Sequence, residues 1–159
     1  MALPQERRPK AGKASHIRND DAFRRFSVAT SAVEEKRRIL IVDDDRDGSR
    51  LIKILLEKNG RYVVLEENDA ARAHQSARNF RPDLILLDIM MPGTDGGDVA
   101  AQIEADLDLQ RTPIVFLTGI VTNAEAKGIL SFQWHPVLAK PISIPELINK
   151  IEENLPASG

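Results

Sequence analysis

Residues 84–96 read LILLDIMMPGTDG, and the rest of the chain is read outward from them. Leu84, Ile85, Leu86 and Leu87 form a continuous apolar run, the pattern of a strand covered on both faces. The run stops at a carboxylate, Asp88, and a Met-Pro-Gly turn and a second glycine, Gly96, follow. In an open α/β sheet, chemistry gathers beyond the carboxyl ends of parallel strands, and this reading puts Asp88 there. Taken singly, an acid at that point is as well explained as the cap of the next helix. The decision rests on what the other strands bring to the same edge.

A second run of the same kind, Ile39-Leu40-Ile41-Val42, ends at Asp43-Asp44-Asp45. Residues 47–58 then carry Leu51, Ile52, Leu55 and Leu56 at the spacing of an amphipathic helix, with Asp45 or Asp47 as its cap and Asn59-Gly60 as its stop. Residues 62–65 read as the second strand and residues 69–80 as an alanine-rich second helix. Gly96 opens a third helix through residue 107, with Val99, Ala100, Ile103 and Leu107 on one face. Residues 114–117 form a fourth strand that ends at Thr118-Gly119. A helix is expected over roughly residues 123–130, although Gly128 weakens it. Residues 136–139 form a short fifth strand ending at Lys140-Pro141. Residues 143–155 close the pattern as a helix, with Ser143 and Glu146 as a capping box and Leu147, Ile148, Ile151 and Leu155 as its buried stripe. Five βα units joined by short loops predict an α/β fold: a doubly wound, parallel, five-stranded sheet. The alternation alone leaves the strand order open.

The 159 residues suffice for one domain with a sizeable core plus extra length. The absence of cysteine excludes disulfides, iron–sulfur clusters and thiol chemistry. The charge is divided: residues 1–37 hold nine Lys/Arg against five Asp/Glu, and residues 38–159 hold thirteen against nineteen, giving a net charge of −2. An acidic body gives no support to direct nucleic-acid binding, and no apolar run approaches the length of a membrane span. Residues 1–37 lack a sustained period and are expected to be a flexible basic extension, with a short helix near residues 20–26 where Phe23, Phe26 and Val28 could dock. Residues 38–155 are expected to be the domain, and residues 156–159 a tail that resembles the start of a linker.

Four of the five strands end in a polar residue that a structural account does not need: the Asp43-Asp44-Asp45 cluster, Asp88, Thr118 and Lys140. The second ends at Glu66-Glu67, which fits an edge position away from the others. Converging carboxylates repel one another and raise their own pKa values unless a cation compensates. Clustered oxygens suit Mg²⁺, which takes few protein ligands and keeps several waters. Lys140 adds a mobile positive charge and Thr118 a hydroxyl donor. Together they form a receptor for a group with three anionic oxygens, a phosphoryl group. Asp88 is then the natural nucleophile.

ILIVDDD, LILLDIMMPGTDG, VFLTG and LAKPIS stand in this order in the chain, and with them the sequence resembles the receiver domain of two-component response regulators, of the stand-alone type. The resemblance covers about residues 38–155. It implies a flavodoxin-like sheet of order 2-1-3-4-5. It implies Mg²⁺, or Mn²⁺ in its place, held by Asp44, Asp88 and the backbone carbonyl of Met90, with Asp43 acting through water. Asp88 would be the phosphoacceptor, with its phosphoryl oxygens held by Lys140, Thr118 and the backbone N–H groups of Met90 and Gly119. The Lys140-Pro141 bond is expected to be cis. The implied donor is a sensor histidine kinase or histidine phosphotransfer protein, and the implied output is contact with a downstream protein. The molecule would be a cytoplasmic signalling switch, monomeric or weakly dimeric, that catalyses its own phosphorylation and hydrolysis without being a metabolic enzyme.

Two positions depart from the family pattern. Three residues before the lysine the family usually carries an aromatic, and here Val137 stands at that switch position; Trp134 and His135 lie three and two residues too early to replace it. Met90 stands two residues beyond Asp88, where a bulky apolar side chain cannot orient a hydrolytic water. Two rival readings follow from the residues. In a haloacid-dehalogenase-like phosphatase Asp43 would be the nucleophile, which leaves Asp88 and its loop without a purpose. In a pseudo-receiver the domain would only bind, a reading that Val137 favours and the full set of polar strand ends opposes.

Overall fold

A computed structural model describes residues 35–119 and 134–157. In chain order these form β1 (Arg37–Val42), α1 (Arg46–Lys58), β2 (Tyr62–Glu67), α2 (Ala73–Phe80), β3 (Leu84–Asp88), α3 (Gly96–Ala105), β4 (Ile114–Thr118), β5 (Val137–Ala139) and α4 (Ile144–Asn154). A 3₁₀ turn, Ala70–Arg72, leads into α2, and Met90–Met91 pairs antiparallel with Thr94–Asp95 between β3 and α3. The helices expected near residues 20–26 and 123–130 lie outside the described residues, as does all of the expected extension except its last residues. Of these, Arg37 already belongs to β1.

The five strands make one parallel sheet of order β2-β1-β3-β4-β5, as the resemblance implied. Because successive side chains alternate across a strand, each apolar run feeds two cores. Leu40, Val42, Ile85, Leu87, Ile114 and Phe116 pack on α2 and α3 through Ala73, Ala77, Val99, Ala100 and Ile103. Ile39, Ile41, Leu84, Leu86, Val115 and Leu117 pack on the other face with Leu56 of α1 and Leu147 and Ile151 of α4. The continuous apolar sequence of β1, β3 and β4 is thus explained by a sheet buried on both sides.

The register fixes where the strands stop. Val42 pairs with Leu87, Asp88 with Leu117, and Thr118 with Ala139. Asp43, Asp88, Thr118 and Lys140 therefore leave the sheet at one edge. Side-chain caps start α1, α3 and α4: Asp45 accepts from the Gly48 N–H at α1, Asp95 from Gly97 at α3, and Ser143 from Glu146 at α4. The Glu146 carboxylate returns to the Ser143 hydroxyl at 2.8 Å.

Two expected core positions are corrected. In α1, Ile52 and Leu56 lie four residues apart and face the sheet, while Leu51 is rotated out to solvent beside Ile54. The third helix ends at Ala105 rather than residue 107, because Asp106 takes extended backbone angles and its carboxylate accepts the Asp108 N–H while pairing with His74 and Arg78. Leu107 is consequently 83% exposed, and Leu109 fills the core in its place.

The start of α3 lies against the backbone of Asp88. The Gly96 N–H donates to the Ile89 carbonyl at 3.0 Å, and a Cβ on Gly96 would stand 2.4 Å from the Asp88 carbonyl oxygen and 2.8 Å from Ile89 Cα. Only glycine permits this approach. Gly96→Ala should therefore destabilise the protein by about 1–3 kcal/mol through overpacking, although alanine is worth about 1 kcal/mol more than glycine inside a helix. Urea unfolding measures the sign, and a stabilised variant would contradict the close approach.

Candidate functional site

At the end of β1 the chain turns sharply into α1, and its three acids diverge in environment. Asp43 is only 1% exposed. Its Oδ1 accepts the Asp45 N–H at 2.9 Å, and its Oδ2 accepts the Lys140 ammonium at 2.7 Å. Asp44 is exposed, and among the described residues no hydrogen bond or ion pair holds its carboxylate. Asp45 is used as the cap of α1. From β3, Asp88 is 5% exposed; its Oδ1 accepts the Met90 N–H at 3.2 Å, and its Oδ2 accepts Lys140 at 3.3 Å. Asp43, Asp44 and Asp88 each offer a carboxylate oxygen, and these oxygens lie within 4.8 Å of one another.

Lys140 reaches this group from the end of β5. Its N–H donates to the Thr118 carbonyl at 2.6 Å, which couples the last two strands just where they leave the sheet. The Lys140-Pro141 bond is cis. Thr118 is buried at the end of β4, and among the described residues nothing lies within 4 Å of where a Cβ on Gly119 next to it would stand. Met90 stands at the lip of the site with 60% of its surface exposed. Val137 is partly exposed at the start of β5, paired with Phe116. His135 meets Phe116 edge to face with ring centroids 5.4 Å apart and is held by Glu104 at 2.8 Å, while Trp134 points out, 87% exposed.

The electrostatics follow from this geometry. Burial pushes the Asp88 carboxyl above its ordinary value; the Lys140 charge opposes that rise, and the Asp43 charge adds to it. Burial alone would depress the Lys140 ammonium, but its hydrogen bond and charge pairing with Asp43, and then with Asp88, outweigh this and raise its pKa. Among the described residues three carboxylates face one ammonium, an excess of negative charge. The donor set of hard, clustered oxygens with one open, solvent-facing acid fits a small divalent cation that keeps most of its water.

The structure brings together Asp43, Asp44, Asp88 and Lys140, with Thr118, Gly119 and the Met90 backbone at the same edge. The sequence reading missed the exit of β2, which it placed away from the site: the Glu67 carbonyl accepts the Asp43 N–H at 3.2 Å, and the Asn68 carboxamide donates to the Asp43 carbonyl at 2.7 Å. No spacing rule marks such contacts, since both reach Asp43 from another strand's end.

A doubly wound sheet with this constellation at its carboxyl edge defines a class. The family model of the response regulator receiver domain matches residues 39–152, and the chain belongs to that family. Among curated relatives, a polar-differentiation response regulator, DivK, of Brucella anthropi is 30% identical over 117 residues, covering 74% of this chain and 94% of its own. Among solved structures, the chemotaxis protein CheY4 of Vibrio cholerae matches with a TM-score of 0.68 at 23% identity over 76% of this chain and 100% of its own. The BeF₃-activated N-terminal receiver domain of Klebsiella pneumoniae RstA matches with a TM-score of 0.66 at 27% identity over 74% of this chain and 97% of its own. No helix among the described residues is long and apolar enough to cross a membrane.

Because the folded-state pKa of Asp88 lies above its ordinary value of 3.8, the ionised carboxylate costs stability above the folded pKa. The cost is relieved as pH falls through that value and is absent below the unfolded pKa. Asp88→Asn should therefore raise the Tm of cation-free protein by a few degrees at pH 7, and the gain should vanish near pH 3.5. Thermal unfolding of both proteins across that range in EDTA checks the sign.

Proposed function

We propose that this receiver is a phosphorylation-controlled switch that takes a phosphoryl group onto Asp88 from the phosphohistidine of a sensor histidine kinase or histidine phosphotransfer protein. The single observation that carries this reading is the Lys140 ammonium lying between Asp43 and Asp88 at the edge where the three carboxylates converge. An Asp88 carboxylate oxygen attacks phosphorus in line, the new O–P bond forms as the P–N bond breaks, and the imidazole leaves with the bonding pair. Lys140, kept charged by its acidic neighbours, passes from the carboxylates to a phosphoryl oxygen. The Thr118 hydroxyl and the N–H groups of Met90 and Gly119 donate to the others.

Asp43, Asp44, Asp88 and the Met90 carbonyl would hold Mg²⁺, or Mn²⁺ in its place, with Asp43 contributing through water. Once bound, the cation neutralises the carboxylates and the incoming phosphoryl oxygens. The readout is contact with a downstream protein in the cytoplasm, by a monomer or weak dimer, without direct nucleic-acid contact. The capture of the related RstA receiver in a BeF₃-activated form supports a phosphoryl-type ligand here.

Incubation with Mg²⁺ and acetyl phosphate should add the mass of one phosphoryl group, and Asp88→Asn should abolish the gain. An adduct mapped to Asp43 would instead favour the phosphatase reading, and no gain with any donor would favour a binding module. The exposed Met90 side chain cannot orient a hydrolytic water by hydrogen bonding. Met90→Asn should therefore speed decay of the Asp88 phosphate several-fold, and an unchanged rate would remove Met90 from the control of lifetime.

A further inference from the structure

We infer that Asn68, at the exit of the edge strand β2, is a positioning residue for the acidic pair, its carboxamide clamping the two ends of the loop whose carboxylates take the divalent cation. The inference rests on the cation-dependent reading of the site given above. It begins with an asymmetry between the two acids. Every polar group of Asp43 is engaged: its N–H with the Glu67 carbonyl, its carbonyl with Asn68, and its two carboxylate oxygens with the Asp45 N–H and Lys140. Asp44, the open acid of the group, has no such hold among the described residues. Its carboxylate is placed only by the backbone on which it rides.

That backbone is a loop between a strand end and a helix start, and Asn68 grips both. One N–H of its carboxamide donates to the Asp43 carbonyl at 2.7 Å, and the nitrogen also lies 2.9 Å from the Ser49 hydroxyl oxygen. A backbone carbonyl can only accept, so the amide nitrogen must face it and the orientation of the carboxamide is fixed. Ser49 is fully buried in the first turns of α1. Its own hydroxyl is within reach of the Arg46 carbonyl at 3.2 Å and of the Glu66 carboxylate at 3.4 Å. Asp43 and Ser49 bracket Asp44 and the capping Asp45, so a single side chain from another strand closes the loop.

Asn68 is itself held in place. It follows the buried Glu67, whose carboxylate accepts the Asp69 N–H at 3.0 Å and the Ser76 hydroxyl at 2.5 Å. These bonds fix the turn from β2 into α2. The edge strand thus supplies no carboxylate to the cluster but sets the position of two that do. Groups that orient metal ligands from behind typically change metal affinity by about 10–100-fold when removed.

The test is Mg²⁺ titration by isothermal calorimetry, with Tm measured separately in EDTA, on the full chain, Asn68→Ala, the isosteric Asn68→Leu, Asp44→Asn and the Asn68/Asp44 double variants. The expected result is a Kd about tenfold weaker for both Asn68 variants, with a clearly smaller loss when Asp44 is already asparagine. If the unsubstituted chain titrates and the Asn68 variants bind as tightly, whatever their Tm, the positioning role is overturned while the cation site stands. If the unsubstituted chain takes up neither Mg²⁺ nor Mn²⁺, the inference falls together with the reading beneath it.

Discussion

The ammonium of Lys140 is the constraint on which this structure turns. Two buried aspartates from different strands approach one another closely enough to repel, and among the described residues the cation between them comes from a third strand end almost a hundred residues from the first. Their desolvation is tolerated because each finds a charged hydrogen-bond partner in the same atom. Compensation is incomplete, since Asp88 is left with a raised pKa. The pocket is therefore built with an unmet demand for positive charge. That demand is one a divalent cation could meet.

The remainder of the fold serves to hold that arrangement. The central strands have no polar face, so helices must cover both sides. Helices α1, α3 and α4 begin just past the sheet edge, where Asp45, Asp95 and Ser143 satisfy their first N–H groups. Gly96 allows α3 to begin against the Asp88 backbone itself. Close packing in the interior thereby becomes positional accuracy at the rim.

Much of this was legible in the sequence, and the reasons differ by element. β1, β3 and β4 declared themselves because a doubly covered strand must be apolar throughout, and their terminal polar residues stood out against that background. The site's membership followed from the same contrast. What the sequence could not show was decided by partners distant along the chain. β2 extends through Glu66 and Glu67 because Ile41 and Val42 pair with them, not because of their own propensity. α3 stops short because His74 and Arg78 of α2 draw Asp106 out of the helix. Leu107 was read as core because a helical stripe was continued past the point where the backbone had already turned. Asn68 carries no motif, and only the folded chain shows what it touches.

The two-sided burial of β3 has a further consequence, which concerns uniqueness rather than chemistry. A strand with one wet face is locked by alternation, because a slip of one residue would expose its apolar side. Leu84, Ile85, Leu86 and Leu87 carry no such information, and sliding them past β1 would trade one leucine or isoleucine for another. The difference lies at the end of the run. A slip of one residue would carry the Asp88 carboxylate into the sheet or leave Lys140 facing a single acid. The residues at the rim thus act as the stop that sets strand alignment, and a chain that places its carboxylates correctly has thereby registered its sheet.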